Sequence, residues 1–217
     1  MDASLIPAWR VETRTRASAA FMLAAALVLV LGIAAPLFVS RAVIQDLFFI
    51  LTMLVLAQSW NLLAGYAGLV SVGQQAFVGF GAYTMFGAVI LLGLDPIAGM
   101  VLAGLLAALL AVPTGFFVFR LQGAYFAIGT WVIAEVVRLS LAQWKALGGG
   151  TGTSLPSGTT RDMWGVEAVA GLFGMRAAQA ADVVCYWLAL LLATATIGLI
   201  YRLLRSRQGL GLAAVRD

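Results

Sequence analysis

Gln58, Asn61, Gln74, Gln75, Glu135 and Arg138 are the side chains whose types and spacing could act on a solute. Gln58 and Asn61 are three residues apart and share a helical face, while Gln74 and Gln75 follow beyond a set of glycines. An uncharged amide offers both donors and acceptors, which suits a polar or zwitterionic solute without trapping it. Amides also hold helices together in membranes, at about 0.6 kcal/mol per contact on average. Flanking a glycine-rich break, the cluster reads as the lining of a translocation path. Glu135 and Arg138 are i, i+3 neighbours on one helical face. They read either as path or gating residues or as a self-compensating ion pair. One carboxylate without any histidine makes a poor proton relay.

These side chains sit in unusual surroundings. Hydrophobic residues make up 63% of the 217 and charged residues 10%, against about 25% charged in ordinary soluble domains. Such a chain cannot cover a globular surface with polar groups, so its solvent is lipid. The reading is an all-α, polytopic integral membrane protein of about six transmembrane helices, with a glycine-rich break between the second and third. The net charge of +4 is a topology signal, and nucleic-acid binding, which needs clustered basic residues, is not expected. Cys185 is the single cysteine and reads as a small buried hydrophobe. No metal site or cofactor is expected.

In order, 1–16 is a cytoplasmic segment with Arg10, Arg14 and Arg16. The run 17–40 is too long for a secretory apolar core of about 7–15 residues and reads as a first, retained span. The second span covers 44–64. Gly65, Gly68 and Gly73 then interrupt the helix, each weakening it by about 1 kcal/mol. Spans at 74–94, 97–119 and 124–144 follow. Gly99/Ala103 and Gly104/Ala108 allow close helix contact in the fourth, and Pro113 kinks it near its end. Residues 145–182 form a polar loop containing Gly148–Pro156, with room for a short interfacial helix within 163–181. The sixth span is 183–201, and 202–217 is a basic tail that reads as an anchoring flank or as an element docking on a partner protein. Placing both termini in the cytoplasm puts Arg120, Arg202, Arg205 and Arg207 inside with the N-terminal arginines, as the positive-inside rule requires. The 145–182 loop is then periplasmic. It lacks the Gly-x-x-x-x-Gly-Lys-[Ser/Thr] pattern, and reads as a docking or gating loop or a plain linker.

Four stretches together carry a resemblance. They are Ser59–Tyr83, Arg120–Thr130 with Glu135 and Arg138, Gly148–Pro156, and Gln208–Asp217. In this order they resemble the permease subunit of bacterial high-affinity branched-chain amino acid ABC importers, the LivM type. The resemblance implies a homologous second permease, two cytoplasmic ATPase subunits and a periplasmic amino-acid-binding protein delivering leucine, isoleucine or valine, in the bacterial inner membrane. It makes Gly149, Gly150 and Gly152 part of the outer loop. It places Arg207, Gly209, Arg216 and Asp217 at the start of the cytoplasmic segment that touches the ATPase. Hydrolysis of ATP then lies on other subunits and this chain is not itself an enzyme, in keeping with the missing phosphate-binding pattern. Family members continue through further helices, so the sequence is expected to be a fragment or a truncated product. The rival readings keep the architecture with urea, short amides or other amino acids as cargo, or make the chain a passive channel or a scaffold.

Overall fold

The computed structural model describes residues 15–156 and 158–216. Arg10, Arg14 and Asp217 lie outside the described residues, as does the side chain of Arg216. The regular elements among the described residues are all helical. Two units separate by contact, residues 1–40 and 41–217.

The first unit holds α1, Arg16–Ala34. The Thr15 hydroxyl caps it, accepting from the Ser18 N–H at 3.2 Å. The helix stops short of the expected 40 because Pro36 turns the chain into a tighter 3-10 turn, Ala35–Leu37. No α1 residue is buried; a helix apolar all round with no protein core of its own is a membrane span.

The second unit contains α2 (Arg41–Asn61), α3 (Gln74–Leu92), α4 (Pro96–Val118), α5 (Ala124–Ala142), α6 (Val166–Phe173), α7 (Ala177–Leu204) and α8 (Arg207–Arg216). Six stretches are long and apolar enough to cross a membrane: Arg16–Leu37, Arg41–Tyr66, Gln74–Leu92, Pro96–Val118, Ala124–Ala142 and Ala177–Leu204. The shortest of them has 19 residues. That is about 28 Å of helix, matching a hydrocarbon layer of about 30 Å. The chain is a multi-pass membrane protein.

α2 packs along α7, while α3 packs against both α4 and α5. Small residues set the α3–α4 contact, but on one face only. Gly99 and Ala103 are buried, whereas Gly104 and Ala108 are exposed. α4 continues through Pro113 to Val118. Two carboxylates tie the loop end of the unit together. Asp95 accepts from Ile97 N–H at 2.8 Å, capping α4, and from Trp164 N–H at 2.7 Å. Asp182 pairs with Arg41 and accepts from Gln45 at 3.3 Å, joining α7 to the start of α2. With its charge paired, Asp182 stays inside α7, which begins at Ala177 rather than at 183. α6 and α7 close a small core of Met163, Val166, Ala180, Ala181 and Val184.

Candidate functional site

The chain leaves regular helix between α2 and α3 through one wider π-helical turn, Leu62–Tyr66, and an irregular run to Gly73. Such turns are frequent at functional sites. Irregular backbone at membrane depth survives only where it is buried in protein or lines a cavity, and here it is held from both sides. The Trp60 indole donates to the Ser71 carbonyl at 3.2 Å, and Leu69 N–H to Leu63 C=O at 2.9 Å. From α5, Thr130 Oγ1 accepts from Val72 N–H at 3.1 Å and donates to Ala127 C=O at 2.8 Å. Gly73 makes this approach possible: a Cβ there would stand 2.6 Å from the Thr130 carbonyl oxygen. Gly68 turns the chain with φ at 69°, and Gly65 lies over the Asn61 carboxamide.

Beside this pinned break, α3, α5 and the glycine loop border an open cavity of about 330 Å³, at the small end of the range for small-molecule sites. Gln75, Tyr83, Glu135, Arg138, Leu141 and Gly150 line it, with smaller apolar groups between them. Arg138 donates from Nε to Glu135 Oε2 at 2.9 Å and from Nη2 to Oε1 at 2.5 Å. This bidentate pair uses one edge of the guanidinium fork and leaves the edge carrying Nη1 unused by Glu135. The side chains of Arg138 and Glu135 keep 64% and 41% of their exposure. Glu135 is seven residues from Ala142, so the pair sits about 10 Å or less from the loop end of α5.

The loop closes that end. Leu147 is fully buried, and the Tyr83 hydroxyl donates to the Gly149 carbonyl. Gly149 has φ at 53°, and a Cβ on it would stand 2.9 Å from the Ala142 carbonyl oxygen. Gly150 lines the cavity, and Gly152 is exposed with φ at 80°.

The structure therefore brings together Gln75, Glu135, Arg138 and Gly150 among the residues picked out by sequence. Gln58, Asn61 and Gln74 do not line the cavity. Gln58 is half-buried and Asn61 exposed on α2. Gln74 opens α3 with its Nε2 buried and without a hydrogen bond among the described residues. Tyr83 and Thr130 were not singled out; each is the last residue of one of the four stretches, which was the available signal. Arg207 and the buried Gly209 begin α8, which packs against the π-helical turn at Leu62–Tyr66. Among the described residues no group of His, Cys, Asp and Glu could hold a metal ion.

Six helices long and apolar enough to span, a pinned helix break and a cavity bordered by an ion pair mark a multi-pass membrane protein with a polar recess between its helices. Residues 42–217 match the family described as the branched-chain amino acid transport system permease component, and the chain belongs to it. It is 32% identical over 200 residues to the high-affinity branched-chain amino acid transport system permease protein LivM of Escherichia coli (strain K12), covering 87% of this chain and 47% of that protein. The LivM permease of Salmonella typhimurium (strain LT2) is likewise 32% identical over 201 residues, with the same coverage of both chains. The chain spans about half the length of these curated relatives. No solved structure matches it.

Proposed function

We propose that this chain is part of a permease subunit of an ATP-driven ABC importer for leucine, isoleucine and valine, with the α3–α5 cavity in its translocation path. The observation that carries the reading is the Glu135–Arg138 pair. Charged groups within a membrane almost always face a bundle interior or a water-filled cavity, because facing lipid costs several kcal/mol. In this chain the pair borders a cavity and keeps 41% and 64% of its exposure. That open side calls for a second chain, and a homologous partner permease is the natural one.

The distribution of basic residues supports an orientation with both termini cytoplasmic and the Gly148–Pro156 loop periplasmic, in the bacterial inner membrane. The loop is then where a periplasmic amino-acid-binding protein delivers cargo. α8, with Arg207 and Gly209 at its start and Arg216 at its end, is then the element that meets one of two ATPase subunits. Its packing on the Leu62–Tyr66 turn supports a mechanical route from that contact to the helix break.

The test is uptake by the full-length permease reconstituted with its partner subunits and binding protein. ATP-dependent accumulation of leucine is expected. Uptake of urea or short amides in its place would reject the cargo, and leucine flux without ATP would reject the importer.

A further inference from the structure

We infer that the α3–α5 cavity is a subsite for the zwitterionic head of an α-amino acid, with Arg138 taking the carboxylate and Glu135 the ammonium. The inference rests on the importer reading above and adds which groups recognise the cargo. An α-amino acid carries opposite charges on one carbon, and its recognition calls for a cation and an anion side by side. Glu135 and Arg138 are that arrangement, held within 2.9 Å by two hydrogen bonds.

Neither group is exhausted by the other. The guanidinium has five N–H donors and spends two on Glu135, and a carboxylate offers about four lone-pair directions. Arg138 can thus accept a second carboxylate end-on while Glu135 receives an ammonium, without breaking their mutual contact. The pair is also preorganised, because one face of one helix holds both groups. Around it the cavity wall is mixed, with Gln75 and Tyr83 polar and the remainder apolar. Ala76, Val137 and Leu141 line it, and Gly79 contributes no side chain. An aliphatic side chain finds surface there, and the volume of about 330 Å³ suits a single small solute.

The experiment is equilibrium binding of radiolabelled leucine to the ATP-free importer complex in lipid nanodiscs. Unlabelled leucine competes against 4-methylpentanoate, which lacks the ammonium, and 3-methylbutylamine, which lacks the carboxylate. Each analogue is expected to bind at least tenfold more weakly than leucine, and Arg138→Gln or Glu135→Gln to weaken leucine at least tenfold. The double exchange Glu135→Arg with Arg138→Glu keeps an i, i+3 ion pair and so preserves a merely structural role. Its folding is checked by elution volume and ATPase co-purification. Lost leucine binding in an assembled exchange variant supports the subsite, and wild-type binding in it overturns the subsite even if the single variants fail to assemble. Analogues that compete as well as leucine, or no saturable leucine binding to the unmodified complex, would also overturn it. Failure of the cargo reading looks different, because the unmodified complex would then import another solute and not leucine.

Discussion

Gly73→Ala tests most sharply how closely the helix break approaches α5. The native φ and ψ at Gly73, −90° and 5°, are open to alanine, so the backbone itself raises no objection. The obstacle is α5: the new methyl would stand 2.6 Å from the Thr130 carbonyl oxygen and 3.1 Å from Thr130 Cβ. The oxygen belongs to helix backbone and cannot swing away, so the 71–73 segment must retreat by several tenths of an ångström. Overpacking of this kind costs about 1–3 kcal/mol. The retreat also stretches the Val72–Thr130 hydrogen bond, now 3.1 Å, a contact worth about 0.6 kcal/mol in membrane proteins. Together the loss is about 2–4 kcal/mol, more than a tenfold drop in the folding constant. Gly81→Ala is the control, since its methyl would meet nothing within 4 Å and alanine favours helix by up to about 1 kcal/mol. Unfolding of the purified chain in mixed micelles, followed by tryptophan fluorescence, separates the two. A Gly73→Ala protein as stable as Gly81→Ala would refute the close approach of the break to α5.

Thr130→Val keeps the shape of the side chain but removes the acceptor for Val72 N–H. A loss of about 1–3 kcal/mol is expected in the same unfolding assay, and an unchanged curve would show that Thr130 does not pin the break. Tyr83→Phe removes the hydroxyl that donates to Gly149. Faster amide exchange across 148–152 than in the parent is expected, with about 0.5–1.5 kcal/mol lost; equal exchange would mean the loop is held by other contacts. Asp95→Ala removes the cap on Ile97 N–H and the acceptor for Trp164 N–H. A cost of about 1–2 kcal/mol is expected, together with earlier protease cleavage near Trp164, and resistance like the parent's would contradict the tie between loop and α4.

The spanning helices were legible because apolar runs bounded by charge or proline need no tertiary information. The same rule misplaced the start of α7. Asp182 reads as a loop residue until its partner Arg41, 141 positions away, is brought beside it. Glycine spacing located the break, but its shape depends on Thr130 in another helix. Glu135 and Arg138 were legible as a pair because i, i+3 spacing is local. The two glutamines were not separable: Gln74 and Gln75 lie about 100° apart around α3, and only packing decides that Gln75 faces the cavity. Tyr83, in an uncharged run, looks like an ordinary apolar-span aromatic until its hydroxyl meets Gly149, 66 positions on.

If the α3–α5 cavity is a watery part of the proposed transport path, a side chain in it is reachable from water. Cys185 is the chain's single cysteine, so Cys185→Ser gives a clean background. Gln75→Cys, in the cavity, and Leu109→Cys, 66% exposed on α4, are then treated with a charged, membrane-impermeant methanethiosulfonate in the full-length permease assembled with its proposed partners. Position 75 is expected to be modified, more slowly when leucine-loaded binding protein is present, and position 109 to stay unreactive. Modification at 109 with none at 75 would show that the cavity is closed to water and lies off the path.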